Sequence, residues 1–197
     1  MSTSGDSIEP AKIPATFNVP PARDRRHDHH TFRPHPLALQ RLGQRLVLSA
    51  AAKLPPGSVE KPRPGLFKNM GHMLNHNYVI ADIFRAHLEG RPHAYDARNT
   101  PDAPPLDTLH TMQRELDAWY ITWTDAVTPA HLEQVVKFTF VGGGDGAMTR
   151  DEILQHVVTH SSYHRGFVAE MMFAIPGHRA PTADLPVFLR DAPPQLD

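Results

Sequence analysis

Four stretches of the chain repeat apolar residues at intervals of three or four, which is the spacing of one face of an α-helix. They predict helices at about 37–53, 66–88, 106–126 and 149–173, each followed by proline or glycine. The last stretch opens with Thr149-x-x-Glu152, a capping-box pattern. Four amphipathic helices with one longer crossover predict an all-α, up-down-type four-helix bundle.

The crossover before the last predicted helix has a different pattern. Residues 133–141, EQVVKFTFV, alternate in polarity and are rich in β-branched side chains, and the glycine-rich residues 142–146 follow. This predicts short extended segments, either a hairpin or an extended crossover. The glycines do not make a phosphate-binding loop, because no lysine stands where that motif requires one.

The two ends of the chain lack a helical pattern of this length. Residues 1–36 contain six prolines and few large apolar side chains, so we expect an extended or disordered leader before one domain at 37–197. We interpret the polar run at Arg23–His30 as solvated rather than as a metal or polyanion site. In the tail, four apolar residues are expected to pack over the bundle: Leu185, Val187, Phe188 and Leu189.

Composition limits the possible functions. The 197 residues carry a net charge of -1 and no cysteine. Without cysteine there are no disulfides, thiolate nucleophiles or cysteine-bound metals, so a metal site needs histidine and carboxylate ligands. The near-zero charge argues against nucleic-acid and membrane partners. No apolar run reaches the roughly 20 residues of a membrane span, and no signal-peptide core is visible, so we expect a cytoplasmic protein.

Histidines recur every four residues in the last predicted helix, at His156, His160 and His164. On a helical wheel with about 100° per residue, His160 and His164 fall on the apolar stripe, whereas His156 falls at its border. Two imidazoles four positions apart can point into one cavity and share a divalent ion.

The second predicted helix contributes a third inward histidine. The same wheel places His76 inside and His72 at the edge, while His87 points inward about three turns away from His76. Any one buried histidine is best explained as a core residue bonded to a neighbour. A pair on one helix with a third on another favours a metal site, and three imidazoles leave one coordination position open, as in catalytic zinc sites.

Several known sites are excluded by the same residues. A zincin helix needs HExxH, but Met73 and Ser161 stand where its glutamate would be. The Glu-x-x-His pairs of a di-iron bundle and the G-x-S-x-G turn of a serine hydrolase are also absent from the sequence.

The sequence resembles the DinB/YfiT-like superfamily of bacterial metal-binding four-helix bundles. The segments that carry this resemblance are GHMLNHNYVIADIFRAHLEG at Gly71–Gly90, HVVTHSSYHRGFVAEMM at His156–Met172 and PTADLPVFLRD at Pro181–Asp191. Judged by the order and spacing of these segments, the resemblance extends over about residues 37–191. The resemblance implies that His76, His160 and His164 are the metal ligands and that His156 is not one. Thr159 departs from the asparagine that is common at its position in the family.

The resemblance also sets expectations for function. It implies a metal-dependent enzyme, a hydrolase or thiol-dependent transferase, with one divalent ion per chain, Zn²⁺ or Ni²⁺, and a low-molecular-weight thiol as a candidate cofactor. The alternative is a non-catalytic metal- or ligand-binding stress-response protein. A homodimer and an unidentified small-molecule substrate are expected. Within the matched segment, we expect Arg165 to pair with an acidic side chain and Gly166 to allow close helix packing.

Overall fold

The computed structural model describes residues 35–65 and 67–191, so the predicted leader lies outside the described residues up to position 34. The described part forms six helices and two strands. In chain order these are α1 (His35–Ala51), α2 (Met70–Glu89), α3 (Leu106–Ala126), α4 (Pro129–Leu132), β1 (Val135–Thr139), β2 (Asp145–Thr149), α5 (Arg150–Phe173) and α6 (Leu185–Asp191).

The second predicted helix begins later than its apolar pattern indicates. Helix α2 starts at Met70, not near residue 66, because Asn69 adopts an extended conformation and its side chain accepts a hydrogen bond from the backbone of His72. Such N-caps satisfy backbone donors that have no partner within the helix. At the other end, Gly90 adopts a left-handed conformation at φ 69° and closes the helix.

The start of α5 confirms the predicted capping box. The backbone N–H of Glu152 donates to Oγ1 of Thr149 at 3.1 Å, and the backbone N–H of Thr149 donates to Oε2 of Glu152 at 2.7 Å. Both donors would otherwise be unpaired at the helix end. The cap fixes the position of the helix that carries two of the candidate ligands.

The crossover forms the hairpin, the first of the two predicted alternatives. Strands β1 and β2 pair antiparallel, with Val135 opposite Thr149 and Thr139 opposite Asp145. Gly142, Gly143 and Gly144 in the connecting turn all have φ near +100°, a region in which other residues are strained. The short helix α4, which precedes the hairpin, has no counterpart in the predicted elements, because four residues cannot show a helical repeat.

The four long helices pack in pairs: α2 against α5 and α3, and α1 against α3 and α5. Their apolar faces form two buried clusters, one around Val79, Leu116 and Ile153 and the other around Met70 and Met172. The mostly helical fold is therefore confirmed, whereas the up-down order of a four-helix bundle stays a prediction. No helix in the described residues is long and apolar enough to cross a membrane.

The predicted role of one glycine is wrong, and another glycine takes that role. A Cβ added at Gly166 would meet no atom of the described residues within 4 Å, so this residue does not bring the described helices together. A Cβ at Gly43 on α1 would lie 2.9 Å from Nε of Arg165 on α5. Gly43 thus leaves space for the buried guanidinium of Arg165, which donates to Oγ of Ser162 at 2.7 Å.

The predicted packing of the tail is only partly confirmed. Phe188 on α6 is buried, but Leu185 and Leu189 are exposed and Val187 is half-buried. These four residues fall within one short helix of seven residues, so only one side of it can face the protein.

Tyr120 ties α3 to α2 in the buried core. Its hydroxyl donates to the carbonyl oxygen of Ala81 at 2.7 Å, and its side chain is 1% exposed. We expect Tyr120→Phe to lower the free energy of unfolding by about 1 kcal/mol, the usual net value of such a bond. Urea unfolding followed by circular dichroism measures this. Tyr163→Phe, at a tyrosine that is 64% exposed, is the matched control and should leave the midpoint unchanged; equal effects of the two changes would contradict the assignment.

Candidate metal centre

The packing of α2 against α5 brings the three predicted ligands together. His76 comes from α2, and His160 and His164 come from successive turns of α5. One ring nitrogen of each residue lies within 4.8 Å of the others. Nε2 of His160 and Nε2 of His164 lie 3.1 Å apart. The ring of His76 is centred 5.2 Å from that of His160 and 4.7 Å from that of His164.

The orientation of His76 is set by a backbone carbonyl. Its Nδ1 lies 2.7 Å from the carbonyl oxygen of Arg98. Because a carbonyl only accepts, Nδ1 carries the proton and donates it, which leaves the lone pair on Nε2. Metal-binding histidines commonly make this type of hydrogen bond through the second ring nitrogen.

The loop that supplies this carbonyl is held against α2 by side-chain amides. Asn75 is buried and donates to Oγ1 of Thr100 at 2.6 Å and to the side-chain oxygen of Asn99. Asn99 in turn donates to the backbone carbonyl of His72 at 2.8 Å. The sequence did not point to Arg98, because a carbonyl in an irregular loop leaves no periodic signal.

His164 is oriented by a methionine. Its Nδ1 lies 3.1 Å from Sδ of Met73, a weak acceptor, so the Nε2 lone pair faces His160. One N–H between the two Nε2 atoms satisfies both of them. A cation in the triad would instead accept both lone pairs. The wheel places Met73 on the inward face of α2, so its position was predictable although its contact was not.

Burial keeps the three imidazoles neutral. Desolvation, reinforced by the neighbouring rings, lowers the pKa of His160 to about 3 and that of His164 to about 4. Desolvation also lowers the pKa of His76. His76 and His164 are 8% and 7% exposed, and His160 is half-buried. At neutral pH all three therefore offer the unprotonated form that binds metals.

A cavity of about 510 Å³ opens beside the triad. Besides the three histidines, its lining consists of Phe67, His72, Ile80, Phe84, Ala97, Arg98, Asn99, Phe140 and His156. The ring of Phe67 is centred 5.0 Å from that of His76 and 5.4 Å from that of His164. Within the described chain the lining includes no carboxylate. The triad thus faces a largely apolar cavity of the size of small-molecule sites.

The remaining predicted histidines lie at the edge of the site or away from it. His156 lines the cavity, with its ring centred 5.3 Å from that of His160, but it is not part of the three-nitrogen group. His72 is half-buried and also lines the cavity. His87 is stacked on Phe138, with ring centres 4.7 Å apart.

The donor set fits a divalent ion. Ligand nitrogens around a tetrahedral zinc are about 3.3 Å apart, since each Zn–N bond is about 2.05 Å long. The triad nitrogens, 4.8 Å apart or less, approach this spacing. The Nδ1 atoms of His76 and His164 contact Arg98 and Met73, which leaves their Nε2 lone pairs available to an ion. The fold and the site define a mostly helical protein with a buried histidine triad that can hold a metal ion.

Comparison with known proteins agrees with this class. The model of the DinB family matches residues 40–196, which is most of the chain. The chain therefore belongs to the DinB family, and the resemblance carried by the histidine segments is confirmed at that level. No curated protein matched the sequence.

Proposed function

We propose that the protein is a metal-dependent enzyme, a hydrolase or thiol-dependent transferase, whose single divalent ion is held by His76, His160 and His164. The observation that carries the proposal is the position of the triad at the wall of a cavity of about 510 Å³. A purely structural ion has no need of an adjoining cavity. Three protein ligands leave a position for water or substrate, as in catalytic zinc sites.

The residues of the triad and those around it have separate roles in the proposed function. His76, His160 and His164 provide neutral nitrogen donors, and the Arg98 carbonyl holds the ring of His76 in its tautomer. Phe67 contacts the rings of His76 and His164 and, with the other phenylalanines of the lining, provides an apolar surface that excludes water. A bound divalent ion supplies Lewis acidity, which lowers the pKa of a water or thiol at the open position.

The alternative function is non-catalytic metal or ligand binding in a stress response. One observation favours it: among the described lining residues, no aspartate or glutamate stands ready to act as a general acid or base. The choice between the two functions therefore depends on whether an exogenous ligand can reach the ion.

Cobalt substitution tests whether the coordination position is open. Metal-free protein loaded with Co²⁺ is expected to bind about one ion per chain and to show a visible absorption band that changes when 2-mercaptoethanol or acetohydroxamate is added. His178→Ala, a change outside the cavity, should behave as the wild type. A cobalt spectrum that neither ligand alters would contradict the proposed enzyme and support the non-catalytic binding function.

Turnover tests separate the two reaction types. The zinc- and nickel-loaded proteins are assayed for hydrolysis of a chromogenic ester and for transfer of 2-mercaptoethanol to an electrophilic chromophore. We propose Zn²⁺ or Ni²⁺ as the ion and a small thiol as the candidate co-substrate. The homodimer and the cytoplasmic location stay predictions, measurable by light scattering and by fractionation.

A further inference from the structure

A second cavity lies between α1 and α3, whereas the histidine triad lies on α2 and α5. It has a volume of about 590 Å³, and none of its described lining residues also lines the cavity beside the triad. Phe188 of α6 closes part of it. The proposed metal-dependent function gives this cavity no role.

The lining of the α1–α3 cavity includes three arginines. Arg41 and Arg45 are one turn apart on α1, and Arg114 lies across from them on α3. All three are exposed, and in the described chain none of them makes a hydrogen bond or an ion pair within 4 Å. Unpaired guanidinium groups on two facing helices are suited to bind a carboxylate or phosphate through paired N–H groups.

A buried carboxyl group lies among the lining residues. Asp117 is 4% exposed, and its Oδ1 accepts a hydrogen bond from Nε2 of Gln113 at 2.9 Å. Burial raises the pKa of this carboxyl group to about 7, and the positive charges of Arg165 on α5 and of Arg41 partly oppose this rise. The charges of Arg45 and Arg114 therefore remain uncompensated by the carboxyl group and available to an anion.

Apart from His110, the rest of the lining is apolar. Leu48 and Phe188 are buried there, and Leu42 and Ala118 complete the wall. A fully hydrated inorganic anion would gain nothing from these side chains, whereas an alkyl or aryl group would be removed from water. The cavity thus combines a cationic region with an apolar one in a single volume of the size of ligand sites.

We infer that the α1–α3 cavity binds a small organic anion, with a carboxylate or phosphate at the arginines and an apolar body against Leu48 and Phe188. The recognised chemistry is an anionic head on an apolar tail, shared by fatty-acid-like carboxylates and alkyl phosphates. This binding does not depend on the histidine triad, so it can hold or fail independently of the proposed metal-dependent function.

Calorimetric titration of the full-length protein tests the inference with four probes. Octanoate and octyl phosphate carry both features, 1-octanol lacks the charge, and inorganic phosphate lacks the tail. We expect at least one of the two amphipathic anions to bind about tenfold more tightly than 1-octanol and than inorganic phosphate. The tighter of the two identifies the head group. Binding of 1-octanol or of inorganic phosphate as tight as that of the better anion would overturn the inference, as would no binding of either anion.

Variants locate the binding. The double change Arg45→Gln and Arg114→Gln should weaken binding at least tenfold, and Ala118→Phe, at an exposed position of the wall, should block the cavity. Arg179→Gln, at an exposed arginine outside the lining, is the matched control and should bind as the wild type. Thermal melting verifies that each variant is folded.

Two outcomes of the variant experiments would contradict the inference. The first is unchanged binding by the folded double variant. The second is a wild type that binds no probe but changes its oligomeric state when Arg45 and Arg114 are replaced, as measured by sedimentation. That result would assign the surface to contact with a second copy of the chain.

Discussion

Replacement of His160 by alanine is expected to weaken zinc binding by roughly 100- to 1,000-fold. A protein zinc site is worth about 10–16 kcal/mol in total, shared among three or four ligands, so each ligand accounts for a few kcal/mol. Competition with a chromogenic chelator measures the affinity, and elemental analysis of untagged protein measures the ion content. His76→Ala, on the other helix, should have an effect of the same size.

His156→Ala is the matched control for this prediction. His156 lies one turn before His160 on the same helix and lines the same cavity, yet its ring lies outside the three-nitrogen group. Its loss should change the affinity by less than about tenfold, below the roughly 10- to 100-fold cost of losing a residue that hydrogen-bonds to a ligand. If His156→Ala abolished zinc binding while His160→Ala retained it, the choice of ligands would be wrong.

The metal-free protein is expected to lose stability steeply as the pH falls from about 6.5 towards 4. In the unfolded chain a histidine titrates near 6.5, whereas burial lowers the pKa of His160 to about 3 and that of His164 to about 4 in the folded chain. Between these values the unfolded state binds more protons, so acid favours unfolding. Each histidine lowers the free energy of unfolding by at most about 1.4 kcal/mol per pH unit, and by less where water at the edge of the cavity screens its charge.

Urea unfolding across this pH range, with and without zinc, measures the effect. The double variant His160→Gln and His164→Gln removes both titrating groups, so its stability should depend less on pH over the same interval. Zinc should raise the stability of the wild type at every pH at which it binds, and raise it less where protons occupy the ligand nitrogens of the folded chain. Identical pH profiles of the wild type and the double variant would contradict this account.

The candidate site was predictable from the sequence to the extent that it depends on helical geometry. The wheel assigned His76, His160 and His164 to inward faces, and the structure brings their nitrogens together. This worked because the four-residue spacing fixes the angle between side chains on one helix, whatever the tertiary structure. The family resemblance selected the same three residues through a separate line of reasoning.

The parts of the site that depend on irregular backbone were not predictable. The Arg98 carbonyl reaches His76 because Asn75 holds the α2–α3 loop through two side-chain contacts. None of these contacts has a repeat in the sequence. The cavity wall formed by Phe140 depends likewise on how the hairpin lies against the helices, a long-range arrangement that local pattern does not encode.

Helix boundaries and single-residue roles were likewise predictable where a local motif determines them and not predictable where tertiary packing does. The capping box located the start of α5 because it is a local motif with its own hydrogen bonds. The start of α2 was placed too early, since the apolar pattern continues before the Asn69 cap. The role given to Gly166 was wrong, because a glycine in a sequence does not indicate whether a helix packs against it, and none of the described helices does.

The histidine triad joins two helices that are separated along the chain by α3 and the whole β-hairpin. An ion shared between them would act as a reversible cross-link that closes a long loop of the chain. Closing a long loop costs more entropy than closing a short one. The lifetime of the folded protein in a cell would then follow the supply of free metal, and a shortage of that metal would appear first as faster proteolysis rather than as slower chemistry.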